Sequence, residues 1–173
     1  MKILFLTFYF PPDLSAGSFR SSSLIEALVP SKHKTLEIEV ITTFPNRYSS
    51  FVENASRYET LKSVKIHRIV MPKHNSDIFG QCNAFLNYLK GVVRETSSNE
   101  YDIIYATSSR SATALLGAYI SKRIKKPLYL DIRDIFADTI KFVLPLKTGV
   151  LLAPLFSLLE RYAINSATKV NLV

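Results

Sequence analysis

Apolar and polar positions alternate in blocks along the chain. Ile3 to Phe10 is an apolar run, broken only by Thr7, the pattern of a strand buried on both faces. Pro11 and Pro12 stop it. Ser15-Ala16-Gly17-Ser18 then form a turn of small residues, and Leu24, Ile25, Leu28 and Val29 recur at helical spacing. Ile38 to Thr43 predicts a second strand, Pro45 to Lys62 a polar loop, and Val64 to Val70 a period-two strand nearer the sheet edge. The spacing of Phe85, Leu86, Leu89, Val92 and Val93 predicts a helix over Phe79 to Arg94. Further strands are expected at Asp102 to Thr107, Pro127 to Ile132 and Lys169 to Val173. Helices over Ala112 to Ile124 and Val150 to Ala163 separate them. Such alternation implies an α/β fold: a Rossmann-like parallel sheet with helices on both faces.

Length and composition narrow the class. At 173 residues the chain reads as one domain with a single sizeable core. A hydrophobic content of 47% and a charged content of 21% exclude a disordered chain. A single cysteine, Cys82, excludes an intramolecular disulfide and points to a reducing cytoplasm. Thr148 to Leu159 is a 12-residue uncharged stretch, shorter than the roughly 20 residues a spanning helix needs. Leu151, Leu152, Leu155, Leu158, Leu159 and Tyr162 share one broad helical face there, which is expected to pack on the sheet. The alternative is that Phe142, Val143 and Leu146, beside Lys141 and Lys147, dip into an anionic lipid interface. The net charge of +8 suits phosphorylated ligands, nucleic acid or an anionic surface.

The chemistry is expected beyond the carboxyl ends of the strands, where open α/β sheets bind ligands. Ser15, Ala16, Gly17, Ser18 and Arg20 follow the first strand. Ser108, Ser109 and Arg110 follow the Asp102 strand, and Asp131, Arg133 and Asp134 lie at the end of the Pro127 strand. A strand, a small-residue loop and a helix N-terminus make an anion-binding device, through free N–H groups and the helix dipole. Two arginines suit phosphate, and Asp134 or Asp131 suits a general base toward a hydroxyl. The structural alternative is an ion pair of Arg133 with Asp131 or Asp134 that caps the loop. The lack of GxGxxG, GxxxxGK[ST] and GxSxG excludes the dinucleotide fingerprint, the P-loop and the hydrolase elbow. His33, His67 and His74 show no metal-ligand spacing. Lys122, Arg123, Lys125 and Lys126 form a basic helix end that complements the dipole or, alternatively, touches lipid.

Three segments carry a family resemblance: YFPPDLSAGSFRSSSLIEAL, PLYLDIRDIFADTIKFVLP and SLLERYAINSATKVNLV. In that order they resemble the N-terminal, acceptor-side domain of retaining glycosyltransferases of the GT-B class, family 4. The resemblance implies one half of a two-domain enzyme. Residues 1–173 would be the N-terminal Rossmann-like domain, without the donor-binding domain that follows in the family. It implies transfer of a sugar, hexosyl or N-acetylhexosaminyl, from a nucleotide-sugar to an acceptor hydroxyl with retention. The setting implied is bacterial surface polysaccharide synthesis, at or near the inner face of the membrane. The nucleotide-sugar is then a substrate; no cofactor, metal or nucleic acid is implied, and this half alone is expected to be inactive. Two departures stand out. Ser15 and Ala16 occupy the family's loop glycines, with Gly17 one place on, and Arg133 falls where many members have histidine. A different class is also open: a noncatalytic, membrane-recruiting subunit of a split glycosyltransferase.

Overall fold

The computed structural model describes residues 1–29, 36–46, 55–71, 78–108, 111–133 and 146–172. They form two compact units, Met1–Asp102 and Ile103–Val173. Strands and helices alternate through both, and the fold is Rossmann-like α/β, as the sequence pattern predicts.

The first unit holds β1 (Lys2–Leu6), α1 (Ala16–Leu28), β2 (Glu37–Thr43), β3 (Tyr58–Leu61), β4 (Val64–Ile69) and α2 (Ile78–Glu95). Its strands run in the order β3-β4-β2-β1. β1 pairs parallel with β2, Phe5 beside Val40, and β2 pairs parallel with β4, Val40 beside Ile66. Leu4, Leu6, Val40 and Ile41 are sealed from water, as expected of central parallel strands.

Two expectations change here. β1 ends at Leu6, four residues before the apolar run does. Thr7 to Phe10 stay buried but leave the ladder, because their polar groups find other partners, described below. The stretch expected to be loop up to Lys62 contains β3, antiparallel to β4 with Leu61 opposite Val64. Its Tyr-Glu-Thr-Leu sequence is mostly exposed, so burial left no apolar signature to read.

The second unit is a βαβαβ run: β5 (Ile103–Thr107), α3 (Ser111–Ile124), β6 (Leu128–Ile132), α4 (Leu146–Ser166) and β7 (Lys169–Leu172). Its strands are parallel, in the order β5-β6-β7, with Ala106 beside Leu130 and Leu130 beside Val170. Helix α3 lies close on the strands at Gly117, where a Cβ would fall 2.6 Å from the Ala106 methyl. It ends at Lys125 in the left-handed conformation (φ 55°), with the Lys126 amide donating to Ser121 O at 3.1 Å.

Helix α4 corrects a third expectation. Leu155, Leu158 and Tyr162, assigned to the core by their spacing, are 51%, 65% and 41% exposed. Ala153 and Ala163 are the buried positions among its described side chains. The small alanines let α4 approach its neighbour; Phe156 and Leu159 are half-buried, and the side chains of Leu151 and Leu152 lie outside the described residues. Residues 141–145, and the side chains of Leu146 and Lys147, lie outside the described residues.

Candidate functional site

The loop between β1 and α1 is held from several directions. The Thr7 amide reaches back to Ile41 O at 3.3 Å, and its hydroxyl donates to Tyr9 O at 2.9 Å. Phe8 O accepts from the hydroxyls of Thr43 (2.7 Å) and Thr42 (3.3 Å) at the end of β2. The Tyr88 hydroxyl, from α2, donates toward Ile41 O (2.8 Å) and Thr7 O (3.0 Å). Burial raises the Tyr88 pKa far above the ordinary tyrosine value, and the hydrogen bond to Thr7 offsets little of that rise. The phenol therefore keeps its proton and remains a donor.

Further along, Pro11–Pro12 is a cis peptide, and Pro11 O accepts from Arg68 Nη2 at 2.9 Å. The Arg68 guanidinium is 3% exposed and also donates through Nη1 to Ser56 O (2.9 Å) and Glu59 Oε2 (2.7 Å). Asp13 is buried, and its Oδ2 accepts from the Asn46 amide at 3.2 Å. The Asn46 side chain donates in turn to Thr43 Oγ1 at 2.6 Å and Phe44 O at 2.8 Å. This bonding gives the carbonyls of Thr7, Phe8, Tyr9 and Pro11 their donors without a ladder.

At the end of this loop Ser15 caps α1. Its backbone is extended (φ −145°, ψ 153°), and its Oγ accepts from the Ser18 amide at 3.1 Å. Ala16 and Gly17 are the first two helical residues, where an α-helix has no internal acceptor for its amides. The Ser18 hydroxyl is fully buried and has no hydrogen-bond partner among the described residues. Arg20 sits in the first turns of α1, half-buried. The sequence-predicted set Ser15, Ala16, Gly17, Ser18 and Arg20 thus gathers at one helix N-terminus, the positive end of the helix dipole.

The second unit gathers a smaller set. Ser108 follows β5 and is buried; its amide donates to Asp131 O at 2.8 Å, and its Oγ accepts from the Arg133 amide at 2.9 Å. Asp131 is 1% exposed, and its Oδ1 accepts from Asn171 Nδ2 of β7 at 2.7 Å. Ser108 and Asp131 therefore fix the ends of β5, β6 and β7 to one another, and Arg133 leaves β6 at that junction half-exposed. Ser109, Arg110 and Asp134 lie outside the described residues.

No family model matches the chain, and no curated protein matches it. Among solved structures it is similar to the crystal structure of a UGT transferase from Siraitia grosvenorii in complex with UDP. The identity is 12% and the TM-score 0.44, over 81% of this chain and 30% of that one. The chain thus spans less than a third of that protein's length.

Sequence reasoning missed the residues that hold the first loop: Arg68, Thr42, Thr43, Asn46 and Tyr88. One signal was available. Arg68 falls in phase with Val64 and Ile66 on the buried side of an alternating strand, and a cation there needs internal partners. Tyr88 and Asn46 gave no comparable signal, since an aromatic in a helical stripe and an asparagine in a loop are ordinary. Among the described residues no group of three His, Cys, Asp or Glu side chains is placed to hold a metal ion, and no helix is long and apolar enough to cross a membrane.

Proposed function

We propose that this chain is the acceptor-side domain of a GT-B, family 4-like retaining glycosyltransferase. The enzyme moves a sugar, hexosyl or N-acetylhexosaminyl, from a nucleotide-sugar to an acceptor hydroxyl in bacterial surface polysaccharide synthesis. The observation that carries the reading is the α1 N-terminus. A preorganised loop presents the Ala16 and Gly17 end of a capped helix beyond a parallel strand, the arrangement suited to a phosphate. The motifs around it, from Tyr9 to Leu28 and from Pro127 to Pro145, add the family resemblance.

In this reading the Ser15–Ser18 backbone and Arg20 bind phosphate in the first unit, and Arg133 is the phosphate-binding candidate of the second. Ser109 and Arg110 remain substrate-binding candidates by sequence alone. Asp134 positions or deprotonates the acceptor hydroxyl. Asp131, bonded to Asn171 and sealed from water, serves as an anchor at the end of β6, and the Ser108 amide ties it to β5. The acceptor is saccharide or lipid-linked, and the donor-binding domain acts in cis or in trans.

Sugar transfer by the full-length enzyme tests the reading. Wild-type protein with a nucleotide-sugar and a lipid-linked acceptor should give product, and Asp134→Ala should lower turnover by about 10²–10⁴-fold. Near-normal turnover in a folded Asp134→Ala variant would reduce Asp134 to a structural role.

A further inference from the structure

Helix α4 presents an apolar stripe with cations set inside it. Leu155, Leu158, Tyr162 and Asn165 follow one another at three- and four-residue spacing, so they share a face of the helix. Leu158, the most exposed of the three large side chains there, stands on a groove of about 470 Å³ lined also by Lys122, Arg161, Tyr162, Asn165 and Ser166. Lys122 Nζ lies over the Tyr162 ring, 4.2 Å from its centroid. Lys122 belongs to the basic last turn of α3, and Lys125 and Lys126 follow in sequence.

We propose that this face of α3 and α4 docks on an anionic phospholipid surface. Leu155 and Leu158 enter the interface, Tyr162 lies at headgroup level, and Lys122 and Arg161 meet lipid phosphates. Exposed aliphatic side chains beside cations and a tyrosine are the composition that binds such a surface through apolar burial and electrostatic attraction together. A second copy of the chain fits poorly. A two-fold contact brings the same patch from both protomers together, and Lys122 and Arg161 would then face their own like charges. A protein partner fits less well than lipid, because charges are depleted from the cores of protein interfaces, whereas here Lys122 stacks within the patch. The proposal deepens the reading above by naming the surface from which a lipid-linked acceptor would be reached. It is tested without sugar transfer, so either can fail while the other stands.

The experiment is co-sedimentation of the protein with vesicles of phosphatidylcholine alone and of phosphatidylcholine with phosphatidylglycerol, at low and high salt. Circular dichroism establishes that each variant is folded. Wild type should pellet with the anionic vesicles at low salt. Neutralising both cations, Lys122→Gln with Arg161→Gln, should weaken that binding by on the order of thirtyfold, each basic residue near the surface contributing to it. Leu158→Gln should weaken it at both salt concentrations, because insertion is not screened. Lys65→Glu, an exposed lysine of β4 in the first unit, should bind as wild type does. Three results would overturn the proposal: no pelleting with either vesicle, an equal loss in Lys65→Glu, or a wild-type dimer that Leu158→Gln dissociates while neither protein binds vesicles.

Discussion

The two units use the same strand–helix alternation and differ in how they treat polar groups. In Met1–Asp102 the charged residues Asp13, Glu39 and Arg68 are buried, and each is met by named partners. In Ile103–Val173 Asp131 is the buried charged residue among those described, and four large apolar side chains of one helix, α4, are exposed: Leu155, Leu158, Tyr162 and Ile164. The first unit therefore spends its polar side chains on fixing a loop, and the second leaves an apolar face outward. A loop that must hold one shape needs directional bonds.

The sharpest way to break this contrast is at Arg68. Arg68→Met keeps the aliphatic stem but leaves Pro11 O, Ser56 O and the Glu59 carboxylate without their donor. A loss of about 3 kcal/mol is expected, the low end for breaking a buried pair, because Glu59 is partly exposed. Urea denaturation measures it. A variant as stable as wild type would show that the loop keeps its shape without this anchor.

The matching change in the second unit is Asn171→Ala, which removes the Asp131 partner at 2.7 Å. One hydrogen bond to a charged acceptor gives an expected loss of about 2 kcal/mol, smaller than that for Arg68. A larger loss than that of Arg68→Met, by the same denaturation assay, would reverse the ranking of the two units.

The smallest effect is expected for Tyr88→Phe, about 1 kcal/mol at neutral pH, because the Thr7 amide still serves Ile41 O. Its pH dependence is more telling. The folded-state pKa of Tyr88 is raised by burial, so the folded chain keeps a proton that the unfolded chain releases. That contribution to stability is intact below the ordinary tyrosine value of about 10 and is lost as pH rises beyond it. Wild type should thus lose stability between pH 9 and about 11, and Tyr88→Phe should lose less, so the gap between them narrows. A constant gap would mean that Tyr88 is not held neutral by the fold.

The sheet elements were legible because parallel buried strands and amphipathic helices leave strong periodicities. β2, β4 and α2 fall within a residue or two of the expected bounds. The α1 N-terminus was legible for the same reason: paired prolines, a serine cap and small residues are local signals, and Ser15 does cap the helix. What holds that end in place was not legible. Arg68 lies 57 positions from Pro11 and Tyr88 lies 81 from Thr7, and no spacing along the chain records such contacts.

The sequence by itself determined the α/β class, the order of the elements other than β3 and the cluster of small residues beyond β1, because each depends on neighbours within a turn or two. Only the tertiary structure decided which polar residues are spent on structure. Glu39, a charge within an apolar strand, is met by Lys2 Nζ at 2.8 Å, and Asp131 Oδ1 accepts from Asn171 Nδ2 at 2.7 Å. It also decided that Leu155, Leu158 and Tyr162 of α4 are exposed. Periodicity gives a helix its apolar face, but the packing of Ala153 and Ala163 decides which face is covered.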